Sequence, residues 1–291
     1  MNYYEDNGKI VLDCTDSFNI AQTLECGQCF RFEKTNDGYL ILARGKVLNV
    51  SQIGERVEFW PCTMLEFEQI WLDYFDLRRD YRNIKEVISA NDFVMRDAVE
   101  FAPGIRILRQ DVWESLISFI ISQNNRIPMI KKVIGNICEA YGDKISDGCY
   151  SFPTSKQLAQ AKEEDLMRCK TGFRAKYILD ATNKVLSGEI APDDFENLPT
   201  DEVRRRLMSI AGVGPKVSDC VLLFACARFE VFPTDVWVKR IMSHFYFDGV
   251  ETKIDDIHAL AKKRFGQYAG FAQQYLFHYV RCNSAKILLN E

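Results

Sequence analysis

The stretch Leu207-Met208-Ser209-Ile210-Ala211-Gly212-Val213-Gly214-Pro215-Lys216-Val217-Ser218-Asp219-Cys220 decides how this chain is read. Residues on either side of Gly212-Val213-Gly214 follow helical periodicity, so two helices meet across a very short turn. Glycine tolerates positive φ and lets another backbone approach closely, while Pro215 suits a first helical turn. The product is a tight helical hairpin. Amides at the start of its second helix lack intrahelical partners and can hold a phosphate without reading what it is attached to. A bare Gly-x-Gly turn is also common in packed helical pairs, so the turn alone leaves both readings open.

Outward from the hairpin, helical patterning predicts helices over 111–123, 127–141, 174–187, 201–210, 215–227, 235–245, 253–265 and 270–281. Thr200 ahead of Asp201-Glu202 reads as a cap, and Gly188 as a helix stop. Up to about residue 60 the pattern is instead β-rich, over 9–14, 29–33, 39–44, 46–51 and 56–60, with turn residues at Asn36-Asp37-Gly38 and Gly54. Helical periodicity begins at 63–76 and 83–89. The expected class is α+β: an N-terminal antiparallel β-sheet domain, residues 1–104, followed by a helical domain, residues 105–291.

With 291 residues, 47% of them hydrophobic, the chain can bury sizeable cores. The start, Met1 to Gly8, is polar, and no apolar run nears the roughly 20 residues that span a bilayer. The expectation is an intracellular protein with no export signal and no membrane partner. Ten cysteines spread over so long a chain read as reduced thiols. Cys26-Gly27-Gln28-Cys29 resembles half of a zinc site or a redox pair, but no second pair follows at ligand spacing, so no metal is expected. A formal charge of −4 argues against nonspecific coating of nucleic acid. Arg204, Arg205, Arg206, Lys216, Lys239 and Arg240 crowd one region and could still form a local basic face, or merely a solvated one.

About twenty residues past the hairpin, Val231-Phe232-Pro233-Thr234-Asp235-Val236-Trp237 sets a carboxylate at the expected N-cap of another helix. Together the hairpin, the Gly/Pro-rich turn and this aspartate resemble the signature of the helix-hairpin-helix DNA glycosylase superfamily. The resemblance implies that Asp235 is catalytic. A fixed carboxylate stabilises the positive charge that builds on a sugar as its glycosidic bond breaks. Lys216 then implies a bifunctional enzyme, in which a deprotonated amine attacks C1′ and leaves a Schiff base. On its own, a lysine after Gly-x-Gly-Pro could equally be a phosphate contact.

Five further stretches are similar to the 8-oxoguanine DNA glycosylase family, and the similarity runs from about Phe18 to Arg281. They are Glu25-Cys26-Gly27-Gln28-Cys29-Phe30-Arg31, Gly104-Ile105-Arg106-Ile107-Leu108-Arg109-Gln110-Asp111, Ser122-Gln123-Asn124-Asn125, Gly172-Phe173-Arg174-Ala175-Lys176-Tyr177, and Tyr268-Ala269-Gly270-Phe271-Ala272-Gln273-Gln274-Tyr275-Leu276-Phe277. The family implies that the Gly27 carbonyl accepts the N7 hydrogen that 8-oxoguanine carries and guanine lacks. Phe277 and Cys220 would sandwich the flipped base, and Gln273 would read its Watson–Crick edge. Asn124 and a wedge of Phe173 and Arg174 would fill the vacated duplex, and the Gly212, Val213 and Gly214 turn would hold backbone phosphate.

Two positions depart from the family pattern. Met129 stands where eukaryotic members place an arginine on the partner cytosine, and Trp237 where they place a histidine near a phosphate. Nor does a four-cysteine cluster close the chain, since only Cys282 follows Cys226. The resemblance therefore implies a monomeric 8-oxoguanine glycosylase and abasic-site lyase acting on duplex DNA without a metal or organic cofactor, cytoplasmic and chromosome-associated in a bacterium or archaeon, nuclear in a eukaryote. The rivals are a glycosylase for alkylated or other oxidised purines, and a noncatalytic DNA-binding damage sensor.

Overall fold

In the computed structural model, which describes residues 2–13 and 17–287, β1 (Asn2–Asp6), β2 (Lys9–Asp13), β3 (Phe32–Thr35), β4 (Gly38–Ala43), β5 (Lys46–Ile53) and β6 (Arg56–Trp60) form one antiparallel sheet. Their order is β1-β2-β6-β5-β4-β3. Register follows the alternation of side chains: Tyr39 faces Val50 and Ile41 faces Leu48, while Val50 also faces Phe59. All five are buried, so one face of the pleat is apolar and packs on Phe67, Trp71, Leu72 and Phe75. The first three of these four lie in a helical segment, Met64–Tyr74, expected from its periodicity, and Phe75 caps its end; the segment includes a π-helical turn at Phe67–Trp71.

The polar start of the chain forms β1, which its exposed, charged residues did not announce. Strand β3 begins at Phe32, later than expected, because Cys26 to Arg31 form an irregular loop. The expected strand over 9–14 ends at Asp13, and Cys14 lies outside the described residues.

Helices over Val112–Ser122, Ile127–Tyr141, Ala175–Leu186, Thr200–Met208, Pro215–Phe224, Val236–Tyr246, Ile254–Phe265 and Ala269–Ile287 follow the predicted periodicity closely. One cap was misread. Thr200 is already helical, Pro199 occupies the cap position, and the Thr200 hydroxyl bonds to Glu230 at 2.5 Å. Phe93–Phe101 is a helix that the sequence pattern left unread; Asp92 caps it by accepting from the Met95 amide.

The cores interleave across residue 104. Tyr81, Ile84, Val94 and Ala98 join the helical core, whereas Leu108 packs with the sheet. The segment that crosses between them, Gly104 to Gln110, is held by buried polar side chains. Gln28 donates to the Thr23 and Arg106 carbonyls at 2.8 and 2.7 Å and accepts from the Leu108 amide at 2.8 Å. Arg106 lies fully buried, donates to the Ser17 carbonyl at 2.8 Å and to the Asp76 carbonyl, and stacks 4.3 Å from the Tyr81 ring. Removing its guanidinium would strand those carbonyls without water. Arg106→Met is therefore expected to cost about 3 kcal/mol or more, read as a lower denaturation midpoint. An unchanged midpoint would show that the seam does not depend on this residue.

Candidate active site

The hairpin forms as the sequence requires, between Thr200–Met208 and Pro215–Phe224. Gly212 takes φ +76°, and a Cβ there would collide with the Tyr177 ring at 2.4 Å. Close approach, as well as conformation, therefore demands glycine. Helix Ala175–Leu186 clamps the turn: Asp180 accepts from the Ala211 amide at 2.7 Å, and Lys184 donates to the Ser209 carbonyl at 2.6 Å. Val213 is buried beneath, while Gly212 stays exposed and Gly214 caps the second helix without a side-chain bond. The first-turn amides thus keep their capacity for an anion.

From the first turn of that helix Lys216 reaches a cavity of about 380 Å³, and Asp235 faces the same space. This volume falls in the range usual for small-molecule sites. Asp235 is the N-cap of Val236–Tyr246, with Oδ1 accepting from the Val238 amide at 2.8 Å. Capping orients the carboxylate, as its place before a helix led us to expect. The Lys216 ammonium nitrogen sits 5.3 Å from the centre of the Phe119 ring. An amine and a carboxylate fixed on one largely apolar cavity can form a covalent bond to an electrophilic carbon and stabilise a neighbouring cation.

Gly27 and Phe277 also line this cavity, although they stand at opposite ends of the chain. Gly27 has φ +91°, and a Cβ on it would lie 2.9 Å from Arg281 Nη1 and 3.2 Å from Phe277 Cε1. Neighbouring residues hold this loop in place: Gln274 donates to the Cys26 carbonyl and Gln110 to the Gln28 carbonyl. Cys26 packs in the helical core and Cys29 in the sheet core, so the pair divides between two interiors. Among the described residues no group of three or more His, Cys, Asp or Glu side chains is arranged for a metal.

The expected base-contacting residues Cys220 and Gln273 are both buried and do not line the cavity, although Gln273 lies one helical turn before Phe277 and Cys220 one turn after Lys216. Burial pushes the Cys220 thiol up to about 11, against the opposing pull of Lys216, which keeps it a neutral, polarizable group. Gln273 Oε1 is buried with no hydrogen-bond partner among the described residues.

On the outer rim, Asn124 holds φ +47° and is exposed, as is Met129 in the first turn of Ile127–Tyr141. Phe173 is 50% exposed, but Arg174 is only 7% exposed. The expected wedge pair therefore divides. Arg174 donates to the carbonyls of Gln123, Asn124 and Thr171, so it fixes the strained Asn124 turn from beneath and leaves Phe173 to project. Trp237, expected at a phosphate, is half-exposed and lines the mouth of the cavity near Asp235.

The expected basic face is mostly neutralised. Arg204 pairs with Asp201 and buried Asp219, Arg205 and Arg206 both pair with Glu202, and Lys239 pairs with Glu251. Charge clustered in sequence is here cancelled by acidic residues a helical turn away, on the facing helix or, for Lys239, in the loop that follows its own helix.

Sequence reasoning missed much of the cavity lining, Phe119, Ile130, Val280 and Arg281 among it. The first three are indistinguishable by pattern from core residues. Arg281 had a usable signal, since it lies one helical turn beyond Phe277 on the same helix.

A helical hairpin with a lysine and an aspartate on one adjoining cavity defines a helix-hairpin-helix protein of the DNA base-excision class. Residues 11–116 match the family described as 8-oxoguanine DNA glycosylase, N-terminal domain, and residues 117–267 match the HhH-GPD superfamily of base excision DNA repair proteins. The chain belongs to the 8-oxoguanine DNA glycosylase family within that superfamily.

The 8-oxoguanine glycosylase/lyase of Clostridium acetobutylicum, solved with duplex DNA carrying cytosine opposite 8-oxoguanine, is 40% identical and superposes with a TM-score of 0.93. That match covers 98% of this chain and 99% of that one. A structure of MBOgg1 with a low-affinity DNA ligand is 45% identical, also with a TM-score of 0.93, over 97% of this chain and 99% of that one. An N-glycosylase/DNA lyase of Saccharomyces cerevisiae is 36% identical over 211 residues, which span 60% of this chain and 56% of the yeast protein. No helix among the described residues is long and apolar enough to cross a membrane.

Proposed function

We propose that this chain is a bifunctional DNA glycosylase and abasic-site lyase that excises 8-oxoguanine from duplex DNA. The observation that carries the reading is the convergence of Lys216, Asp235, Gly27 and Phe277 on one cavity beside the hairpin. The hairpin amides of Gly212, Val213 and Gly214 anchor backbone phosphate, and the target nucleotide swings out into the cavity. Phe277 stacks on the base and Cys220 backs the opposite face. The Gly27 carbonyl accepts N7–H, and the unpartnered amide oxygen of Gln273 accepts from the Watson–Crick edge.

Guanine would turn an N7 lone pair toward the Gly27 carbonyl, leaving two buried acceptors opposed. Asn124 and Phe173 fill the vacated stack, steadied by Arg174 behind them. Lys216 attacks C1′ as the base departs, Asp235 offsets the positive charge on the sugar, and the resulting imine activates C2′ for β-elimination.

The test is single-turnover strand cutting on labelled duplexes that differ only in one base. Rapid cutting at 8-oxoguanine, with guanine and 3-methyladenine left intact, is expected. Preference for the alkylated base would move the chain to the rival glycosylase class, and tight binding without cutting would make it a sensor.

The same assay addresses the partner base. Met129 cannot donate the directed hydrogen bonds by which an arginine reads cytosine, so rates opposite cytosine, adenine, thymine and guanine should agree within about tenfold. Met129→Arg should restore part of a cytosine preference. A preference of about a hundredfold in the unaltered protein would mean that another residue on this rim reads the partner.

A further inference from the structure

Arg281 carries a buried guanidinium nitrogen that no partner among the described residues satisfies. Its Nη2 donates to the Glu25 carbonyl, which ties the side chain to the loop bearing Gly27. Its Nη1 lies beside Gly27, close to where a Cβ would project, and its Cζ is 5.5 Å from the centre of the Phe277 ring. The residue lines the cavity. A desolvated N–H of a cation is costly to leave unmade, and this one is held at the edge of a site built for a ligand.

Gln273, Phe277 and Arg281 follow one another at single-turn spacing along Ala269–Ile287, about 6 Å of rise apart. A purine stacked on Phe277 with its Watson–Crick edge at Gln273 therefore directs its five-membered ring toward Arg281. Carbon 8 occupies that end of the base.

We propose that Arg281 is a base-reading residue, donating from Nη1 to the O8 oxygen that oxidation places on the purine. This rests on the assignment of 8-oxoguanine to the cavity. The two chemical marks of the lesion are then read side by side, N7–H by the Gly27 carbonyl and O8 by the guanidinium. Guanine offers C8–H to the same nitrogen and leaves it unpaired.

The contact also strengthens during the reaction. When the C1′–N9 bond breaks, its electron pair leaves with the base and is shared between N9 and O8, while the Lys216 nitrogen forms the new bond to C1′. A cation on O8 stabilises that departing charge.

Arg281→Met and Arg281→Lys separate this role from a structural one. On 8-oxoguanine duplexes Arg281→Met should excise about 10- to 100-fold more slowly, the loss of one charge-assisted hydrogen bond, with Arg281→Lys recovering part. Cleavage of a preformed abasic site, which has no base to read, should be unchanged. On 8-thioguanine, which keeps N7–H but replaces O8 by a weak acceptor, the penalty of Arg281→Met should largely vanish, as in a double-mutant cycle.

An equal penalty on both bases would mean that Arg281 acts by holding the Gly27 loop, and an equal loss on abasic DNA that it supports the fold. Either result overturns the proposal, as does a variant that excises like the unaltered protein. If the unaltered protein leaves 8-oxoguanine in place, the substrate assignment falls as well, and the two failures are told apart by that control alone.

Discussion

Borohydride added while the protein acts on an 8-oxoguanine duplex is expected to fix enzyme to DNA in a covalent adduct, and Lys216→Gln is expected to abolish it. The reductant traps an imine, and an imine forms only if an amine has displaced the base from C1′. Lys216 enters the cavity from the helix that follows the Gly212-Val213-Gly214 turn, beside Asp235 and above the Phe119 ring. Glutamine keeps much of the side-chain volume and removes the nucleophile, so lesion binding should be largely retained while excision falls by about 10³-fold or more. The adduct is counted on a denaturing gel and binding by titration of labelled duplex. Undiminished trapping in the variant would assign the chemistry to a different amine.

Asp235→Asn carries the second large effect and probes charge with little change of shape. Asparagine caps a helix about as well as aspartate, so the bond now made to the Val238 amide survives and Val236–Tyr246 keeps its start. What disappears is the negative charge facing the cavity. Because positive charge develops on the sugar chiefly in the transition state, single-turnover excision should slow by about 10²- to 10³-fold with a much smaller change in affinity. Near-normal excision would reduce Asp235 to a helix cap. Strand cleavage at a preformed abasic site, measured alongside, shows whether the aspartate also serves the steps that follow base loss.

What the sequence by itself determined is what short-range physics controls. Alternation of apolar side chains marked β4, β5 and β6 because a strand turns successive residues to opposite faces, and helical spacing marked the hairpin pair because packing needs one continuous apolar stripe. The glycines of the turn, the proline after them and the aspartate before the next helix each answer a local backbone demand, so Lys216 and Asp235 were legible as a pair. Tertiary structure decided the rest.

Only the folded chain brings Gly27 against Phe277 and Arg281, turns Arg174 inward onto the Gln123 and Asn124 carbonyls, and sends Cys26 and Cys29 into separate cores. The same is true of Arg204, whose charge is met by buried Asp219 on the facing helix. In each case the deciding contact joins side chains from different elements or different faces. A pattern along one chain cannot carry that information, because a side chain's partner and its access to water are set only when those elements pack.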